Sequence, residues 1–182
     1  SRLLTLMSAE GRVIRARPRG GWTSSQFTWA VTNHWRTDWP ERPVQEEADG
    51  LITRSWLYGH GPATVDDLAW WTGWAKGRTR KAIERAGGLE VETSVGPAFV
   101  LEFDLEPVTD ARPWVALLPG LDSSTMGWRQ RDFYLGPHTH RLFDNVGNAG
   151  PTVWADGRIV GGWAQRDSGE IALEILEDVG LE

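Results

Sequence analysis

The side chains with the clearest chemistry are basic residues concentrated in two short segments. Four arginines fall within eight residues near the N-terminus, namely Arg12, Arg15, Arg17 and Arg19. A second segment has one acid, Glu84, and five basic residues, which are Lys76, Arg78, Arg80, Lys81 and Arg85. Guanidinium and ammonium groups bind phosphate oxygens, and the planar fork of Arg also fits guanine. Both segments are therefore candidate contacts to a nucleic acid.

Each basic segment has a second interpretation that involves no ligand. In a helix, basic side chains three and four residues apart share one face, which either follows a row of phosphates or is simply solvated. In an extended chain, Arg15, Arg17 and Arg19 project to one side. That side is either a wing on a DNA backbone or minor groove, or an edge strand whose charges oppose aggregation. We favour DNA contact in both cases.

Charge is distributed unevenly along the chain, whose net charge is -6. Residues 1–40 hold six arginines against two acids, a balance of +4, while residues 41–182 hold 13 basic and 23 acidic residues, a balance of -10. Because salt screens charges over about 8 to 10 Å, local clusters decide binding more than the total does. The net charge therefore does not exclude DNA as a partner.

Other kinds of chemistry find little support in the sequence. The chain has no cysteine, which excludes disulfides, thiolate zinc sites, iron–sulfur clusters and a cysteine nucleophile. His138 and His140 lack a third ligand at a recognised spacing, so we predict no metal and no cofactor. Glycine-rich phosphate loops and a serine nucleophile elbow are also absent from the sequence.

The sequence predicts a cytoplasmic, nucleoid-associated protein that does not contact a membrane. No apolar run approaches the roughly 20 residues that a membrane-spanning helix needs. The N-terminus lacks the basic and then apolar layout of a signal peptide. The absence of cysteine also fits a reducing compartment.

Tryptophan is unusually abundant, with twelve residues in a chain of 182. Its large ring most often anchors a core at the surface, and less often provides a platform for nucleobases. Trp71 shares the apolar stripe of a predicted helix with Leu68. We therefore predict that Trp71 is buried and structural.

The first basic segment lies in a predicted hairpin. Apolar residues at helical spacing in 3–10 predict the end of a helix that stops at Gly11. Residues 12–17 and 26–31 alternate as strands do, and a turn-rich basic loop joins them. The order of helix, strand, basic loop and strand is that of the second half of a winged helix-turn-helix, which we assign to residues 1–40.

A linker is predicted between this half motif and the next domain. Residues 40–50 contain two prolines and four acids without periodicity, and we place the linker at 41–50. Residues 46–58, which overlap the end of this linker, have apolar residues at helical spacing and predict a helix that closes on Gly59.

The second basic segment is the third predicted helix, residues 76–86. The helix before it begins at the N-cap Thr64, has Asp66 and Asp67 in its first turn, and ends at Gly73. The two aspartates are explained as charges that favour the positive end of a helix. The short turn between these helices contains glycine, as helix-turn-helix motifs often do.

Two predicted strands, 89–93 and 98–103, complete a winged helix-turn-helix, assigned to residues 51–110. Residues 111–182 have a β-rich texture, in which Asp156-Gly157 is a strong signal for a two-residue hairpin turn. The last segment fits a strand about as well as a helix. The predicted fold class is α+β, with a tandem winged helix-turn-helix of which the first is partial, followed by a β-rich C-terminal region.

Four segments taken together resemble one family. In chain order they read GRVIRARPRGGWTSSQFTWA, YGHGPATVDDLAWWTG, ALLPGLDSSTMGWRQRD and PTVWADGRIVGGW. They are similar to the bacterial winged-helix proteins of the AlkZ and YcaQ type, over most of the chain. The resemblance implies a tandem of winged helices wrapped around DNA in a C-shape. It also implies a DNA glycosylase that excises bulky or crosslinked alkylated purines.

The catalytic signature of that family is a Gln, an aliphatic residue and then Asp or Gln. It belongs to an N-terminal part that precedes the aligned segments, and it is absent from this sequence. The string Gln130-Arg131-Asp132 has a charged middle residue, and we treat it as a coincidence. It overlaps the family's WRxR stretch, from which Trp128, Arg129 and Arg131 carry over. These residues either face a DNA channel or attach the C-terminal region to the winged helix through hydrogen bonds to carbonyls.

Three functions are compatible with the sequence. The first is the DNA-binding part of a DNA glycosylase-like protein for repair or genotoxin resistance, acting as a monomer on damaged double-stranded DNA. The second is a non-catalytic winged-helix regulator, which the lack of an upstream catalytic motif in the gene would favour. The third is a protein-interaction module, which fits the six acids and no bases after Arg166.

Overall fold

The computed structural model describes residues 2–20, 24–38, 43–106, 112–178 and 180. The chain divides into two units, residues 1–43 and 44–182, and each is described on its own. Both combine helices with antiparallel strands. No helix within the described ranges is long and apolar enough to cross a membrane.

The first unit is a hairpin flanked by helices. Helix α1 (Arg2–Ala9) is followed by Gly11, whose φ of 66° suits glycine. Strand β1 (Val13–Pro18) pairs antiparallel with β2 (Phe27–Val31), and a short helix α2 (Thr32–Trp35) follows. The predicted helix end and strand pair are therefore confirmed.

Strand β1 turns its arginines outward. Val13 is buried, whereas Arg15, Arg17 and Arg19 are exposed. Because side chains alternate along a strand, Val13, Arg15 and Arg17 share one face, which is buried at the start of β1 and becomes exposed and charged toward the loop. Residues 21–23 of the connecting loop lie outside the described residues.

The second unit begins with three helices and a hairpin. In order these are α3 (Gln45–His60), α4 (Val65–Thr72), α5 (Lys76–Ala86), β3 (Leu89–Thr93) and β4 (Gly96–Val100). Thr64 and Asp67 form a capping box at the start of α4, each side chain binding the backbone N–H of the other. Gly73 and Gly87, with φ of 72° and 76°, end α4 and α5. These helix bounds match the predicted ones.

The predicted linker is wrong at its C-terminal end. Helix α3 begins at Gln45, so residues 45–50 are helical. Gly50 is buried against α5, where a Cβ on it would lie 3.1 Å from the Cβ of Arg85. Asp49 is also buried. The glycine and acid that favoured a linker therefore serve a contact between two helices.

Two other bounds differ from the predicted ones. Helix α3 continues one residue past Gly59 and ends shortly before Pro62, which disfavours helix in the residue that precedes it. Strand β4 begins earlier than predicted, at Gly96, whose φ of 106° closes the hairpin turn. It also ends earlier, at Val100, because residues 102–104 form a short 3-10 turn.

Trp71 is exposed, contrary to prediction. Its exposed fraction is 48%, and its ring lies 6.0 Å from that of buried Trp56. Helix α4 has only eight residues, and the residues that it buries are Asp67 and Leu68. Trp71 therefore covers the edge of the core from outside.

The rest of the second unit is a four-stranded antiparallel sheet with three short helices. The elements are β5 (Val115–Leu118), α6 (Ser123–Met126), α7 (Asp132–Leu135), α8 (Thr139–Leu142), β6 (Thr152–Ala155), β7 (Arg158–Gln165) and β8 (Ile171–Ile175). The strand order is β5-β6-β7-β8. Asp156 and Gly157, with φ of 46° and 81°, form the predicted hairpin turn. Of the two alternatives for the last segment, the strand is confirmed.

Trp128 connects the three helices to this sheet. It packs against the buried cluster that contains Leu57 and Leu68, and also against the cluster that contains Tyr134 and Trp154. Its indole N–H donates to the carbonyl of the last residue of α3 at 3.0 Å. Tyr134 in the second cluster is buried deeply enough that its pKa is raised to about 12. One tryptophan thus joins two cores.

Candidate nucleic-acid interface

Helix α5 presents its basic side chains to solvent. The residues that it buries are Thr79, Ala82, Ile83 and Ala86. The four predicted contacts on this helix are all exposed, namely Lys76, Arg78, Arg80 and Lys81. Whether each of them is free to bind a phosphate depends on its ion pairs within the protein.

Arg78 is held by an acid of α3. Its Nε and Nη2 donate to the two carboxylate oxygens of Asp49 at 2.6 and 2.7 Å, a bidentate geometry, and its guanidinium lies 4.4 Å from the ring centroid of Trp74. The hydrogen bond from Arg78 holds the pKa of Asp49 below its ordinary value. Arg85 pairs with Glu46, which lies on α3 like Asp49. Arg78, Lys81 and Arg85, at spacings of three and four, share one predicted face of α5. Two of the three are therefore paired with acids of α3.

A basic patch surrounds Asp66 at the start of α4. The Nζ of Lys76 lies 2.8 Å from its Oδ1. The hydrogen bond from Lys76 holds the pKa of Asp66 below its ordinary value, and the charges of Arg129 and Arg80 contribute in the same direction. We call Lys76, Arg80 and Arg129, with Asp66, the basic patch. Three cations around one carboxylate leave an excess of positive charge.

Two arginines of the basic patch are open to solvent. Arg80 and Arg129 are exposed, as is Lys81 farther along α5. Over the ranges that the structure describes, none of the three forms a direct ion pair. A phosphate can approach their side chains without displacing an internal partner.

Asp67 brings Arg129 to the patch. Asp67 is 2% exposed, and its Oδ1 accepts the backbone N–H groups of Arg129 and Gln130 at 2.9 and 3.0 Å. Its Oδ2 accepts the N–H and the hydroxyl of Thr64. The predicted role of Asp67 at the helix start is confirmed. The same carboxylate also attaches a chain segment that lies 62 residues away.

Arg131 lies between two aromatic rings. Its guanidinium carbon is 5.1 Å from the ring centroid of Trp70 in α4 and 4.8 Å from that of Phe143. A cation over aromatic faces is stabilised by their quadrupoles. Of the two alternatives for the WRxR stretch, Arg131 therefore has the attaching geometry, through rings rather than carbonyls. Trp128 does bind a carbonyl, as that alternative expects.

The arginines of the first unit have looser surroundings. Arg15 lies 3.7 Å from the ring centroid of Phe27, and Arg12 is 3.6 Å from an oxygen of Glu10. The two arginines nearer the loop are exposed, and within the described residues they have no ion pair. The outer face of this hairpin is therefore a second, separate basic surface.

The string that mimics the catalytic signature does not form one site. Gln130 lines a cavity together with Trp128 and Phe133. Asp132 lines a different cavity. The Arg131 side chain lies near two aromatic rings, and the amide and the carboxylate on either side of it border different cavities.

The histidines predicted to be weak metal candidates are placed by other partners. His138 Nε2 lies 2.8 Å from Oε1 of Glu177, which also accepts a hydrogen bond from Arg158 at 2.9 Å. His140 is exposed. No three His, Asp or Glu residues in the described part of the chain lie close enough to hold a metal ion.

Sequence reasoning missed the acids that position the basic groups. Asp49 fell in the predicted linker, and Asp67 was assigned only to a helix start. Glu46 and Asp49 are three residues apart, and Arg78 and Arg85 are seven apart, so each pair shares a helix face. Complementary charge on two predicted helices was the signal that could have indicated the α3–α5 contact.

Comparison with known proteins identifies relatives for nearly the whole chain. The family model for DNA glycosylase AlkZ-like proteins matches residues 1–179. A curated relative, an interstrand DNA cross-link repair glycosylase from Streptomyces sahachiroi, is 30% identical over an alignment of 135 residues that covers 69% of this chain and 36% of the relative. The solved structure of the Streptomyces sahachiroi DNA glycosylase AlkZ is similar with a TM-score of 0.75 and 26% identity. That match covers 92% of this chain and 46% of the solved chain. This chain thus spans less than half the length of either relative.

Proposed function

The chain belongs to the AlkZ-like DNA glycosylase family, and from this premise we propose that it is the DNA-binding, winged-helix portion of a DNA glycosylase-like repair protein. Its relatives are glycosylases, and one is described as repairing interstrand cross-links. The proposed partner is damaged double-stranded DNA, alkylated or crosslinked. The proposed setting is the cytoplasm, in association with the nucleoid, with the protein as a monomer.

The observation that carries this proposal is the basic patch. Arg80 and Arg129 come from segments almost 50 residues apart in sequence, yet both act on the carboxylate of Asp66. Since neither arginine has a direct ion pair in the described part of the chain, both can bind phosphates. Contacts to phosphates give affinity without sequence information. We therefore expect binding that depends on salt and not on base sequence.

The order of elements supports the winged-helix part of the proposal. Helices α3, α4 and α5 precede the β3–β4 hairpin, and a short turn at Gly73 separates α4 from α5. In a helix-turn-helix, the helix after the turn is the one that approaches DNA. In this chain that helix is α5, which bears Lys76 and Arg80 of the basic patch.

The β1–β2 hairpin supports a second contact of the same kind. Its exposed arginines project from one face of an edge strand, and a wing can lie along a DNA backbone or enter a minor groove. Arg15, Arg17 and Arg19 are the residues proposed for this contact. Arg12 contributes less, because Glu10 is close to it.

The proposal is tested by the salt dependence of DNA binding. Fluorescence anisotropy of a labelled duplex, measured over a series of salt concentrations, gives the slope of log affinity against log salt. The double substitution Arg80→Ala and Arg129→Ala should lower the magnitude of this slope by about two, because each neutralised phosphate contributes about 0.9. Arg166→Ala is the matched control, since Arg166 is exposed and paired with Glu170.

Two outcomes would count against the proposal. An unchanged slope in the folded double variant would remove the basic patch from the interface. A strong preference for one duplex sequence would favour the alternative of a non-catalytic regulator, because phosphate contacts alone do not distinguish sequences.

A further inference from the structure

A cavity of about 310 Å³ is lined in part by Asp67 and Gln130, the chain neighbours of Asp66 and Arg129 in the basic patch. It lies within the second unit, between the residues that begin α4, the β3–β4 turn and the segment 128–133. This volume is at the lower end of the range for small-molecule sites, about 300 to 1,000 Å³. The cavity is therefore suited to a single ring system and not to a large ligand.

The walls of the cavity are mainly aromatic and aliphatic. The rings of Trp128 and Phe133 meet almost at right angles, 85°, with their centroids 5.6 Å apart. Phe133 is 62% exposed, and Val95, which also lines the cavity, is exposed. Ala98, another lining residue, is buried. An exposed phenylalanine at a ring-lined opening offers a face on which a flat ligand can stack.

The Gln130 side chain makes no hydrogen bond to any residue that the structure describes, although its backbone N–H is bound by Asp67. A carboxamide offers a donor and an acceptor side by side, which matches the edge of a nucleobase. Asp67 also lines the cavity, but its carboxylate already accepts four hydrogen bonds and so holds the wall in place.

The charge beside the cavity indicates what the flat ligand is attached to. Arg129 is the neighbour of Gln130 in sequence and belongs to the basic patch together with Arg80. Because Arg129 and Gln130 are consecutive, a phosphate bound by Arg129 and a ring bound at Gln130 can belong to one nucleotide. The ligand class that combines a flat ring, a hydrogen-bonding edge and a phosphate is a nucleotide.

We propose that this cavity holds a nucleobase of bound DNA that has left the base stack, with the base stacked on Phe133 and its edge bound by Gln130. The proposal rests on the proposed function, because the nucleotide belongs to DNA held by the basic patch. An unpaired base costs less to unstack than a paired one. DNA with an unpaired base is therefore the preferred ligand.

The test compares a duplex that carries one bulged adenine with the same duplex fully paired. The unaltered chain should bind the bulged duplex about 5- to 150-fold more tightly, the range expected for stacking one base on an aromatic ring. Phe133→Ala should remove this preference. Phe103→Ala is the matched control, because Phe103 is 59% exposed and lies on the same unit but does not line the cavity.

A second variant keeps the test decisive if Phe133→Ala does not fold. Gln130→Ala leaves the backbone contact to Asp67 in place and should reduce the preference for the bulged duplex several-fold. Circular dichroism establishes that each variant is folded. If both folded variants bind the bulged duplex with the same preference as the unaltered chain, the proposed cavity ligand is wrong.

The outcomes for the cavity and for the proposed function are separable. Equal affinity of the unaltered chain for both duplexes would overturn the cavity proposal and leave the proposed function intact. Failure to bind either duplex would overturn the proposed function. In that case adenosine 5′-monophosphate is titrated while the indole N–H resonance of Trp128 is followed by NMR. A saturable shift that is lost in Phe133→Ala supports the cavity, and no shift overturns it.

Discussion

At the scale of single residues, arginine has two separate roles in this chain. Arg80 and Arg129 reach solvent beside a carboxylate that is already paired with lysine. Arg78 instead binds both oxygens of buried Asp49. Moving Arg78 to a phosphate would leave a buried carboxylate without its partner, which is strongly unfavourable. Arg78→Ala should therefore affect folding more than DNA binding, although the sequence alone groups it with the phosphate contacts.

The Asp49–Arg78 pair predicts a specific dependence of stability on pH. Because Arg78 lowers the pKa of Asp49 in the folded state below 3.8, the pair stabilises the fold fully above about pH 4. That stabilisation is lost as the pH falls through the folded-state pKa. Asp49→Asn should thus lower the urea midpoint near neutral pH, and the deficit should shrink in acid.

Chemical unfolding from about pH 7 to about pH 2 measures this deficit. Glu47→Gln is the control, because Glu47 is an exposed acid on the same helix. A deficit for Asp49→Asn that is equal at all pH values would show that the ion pair does not stabilise the fold.

At the scale of elements, α4 holds the second unit together through both of its ends. Asp67 at its start fixes the backbone of residues 129 and 130, and Trp70 near its other end covers Arg131. Each contact is short-ranged in space and long-ranged in sequence. The orientation of the Arg129 side chain beside the basic patch therefore depends on a helix of only eight residues.

Substitution of Asp67 should weaken the attachment of residues 129 and 130 to α4. Asp67→Ala keeps the Thr64 cap but removes the carboxylate that accepts the N–H groups of Thr64, Arg129 and Gln130, for a total loss of about 2 to 4 kcal/mol. Asp66→Ala is the adjacent control and should leave the unfolding midpoint almost unchanged. Thermal unfolding of both variants makes the comparison, and equal midpoints would mean that the segment 128–131 is held by its rings alone.

Local signals in the sequence predicted the elements well. Thr64, Gly73 and Gly87 mark helix ends because capping and left-handed backbone depend on a few neighbouring residues, and α4 and α5 end where these residues indicate. The contacts that hold Arg78 away from the basic patch and bring Arg129 to it join residues 29 and 62 positions apart, and no local pattern encodes them. The prediction that Trp71 is buried was wrong for a related reason. Two turns of helix hold too few apolar residues to define an inward face.

At the scale of the whole molecule, the sign of the charge restricts where DNA can bind. The chain carries a net charge of -6, and the second unit contributes the acids, including those of β8 and the residues after it. A polyanion is repelled by most of this surface and attracted only where cations cluster. The basic patch and the outer face of the β1–β2 hairpin are therefore the surfaces on which binding is expected.

The last prediction concerns catalysis by the 182-residue chain. Release of a base requires a group that stabilises a cationic sugar and positions water. Asp66 is paired with Lys76, and Asp67 accepts four hydrogen bonds, so neither carboxylate is placed to do this work. Gln130 and Asp132 line different cavities, so they cannot act together. The chain should therefore bind alkylated or crosslinked duplex DNA without releasing a modified base.

The assay follows release of the modified base from an oligonucleotide over time, with the Streptomyces sahachiroi glycosylase as the positive control. The expected result is activity in the control and none in this chain, together with binding of the same oligonucleotide by both. Release of the base by this chain, abolished by Gln130→Ala or Asp132→Ala, would place an active site in its C-terminal half. Such a result would require the segment 130–132 to rearrange, because Gln130 and Asp132 line separate cavities.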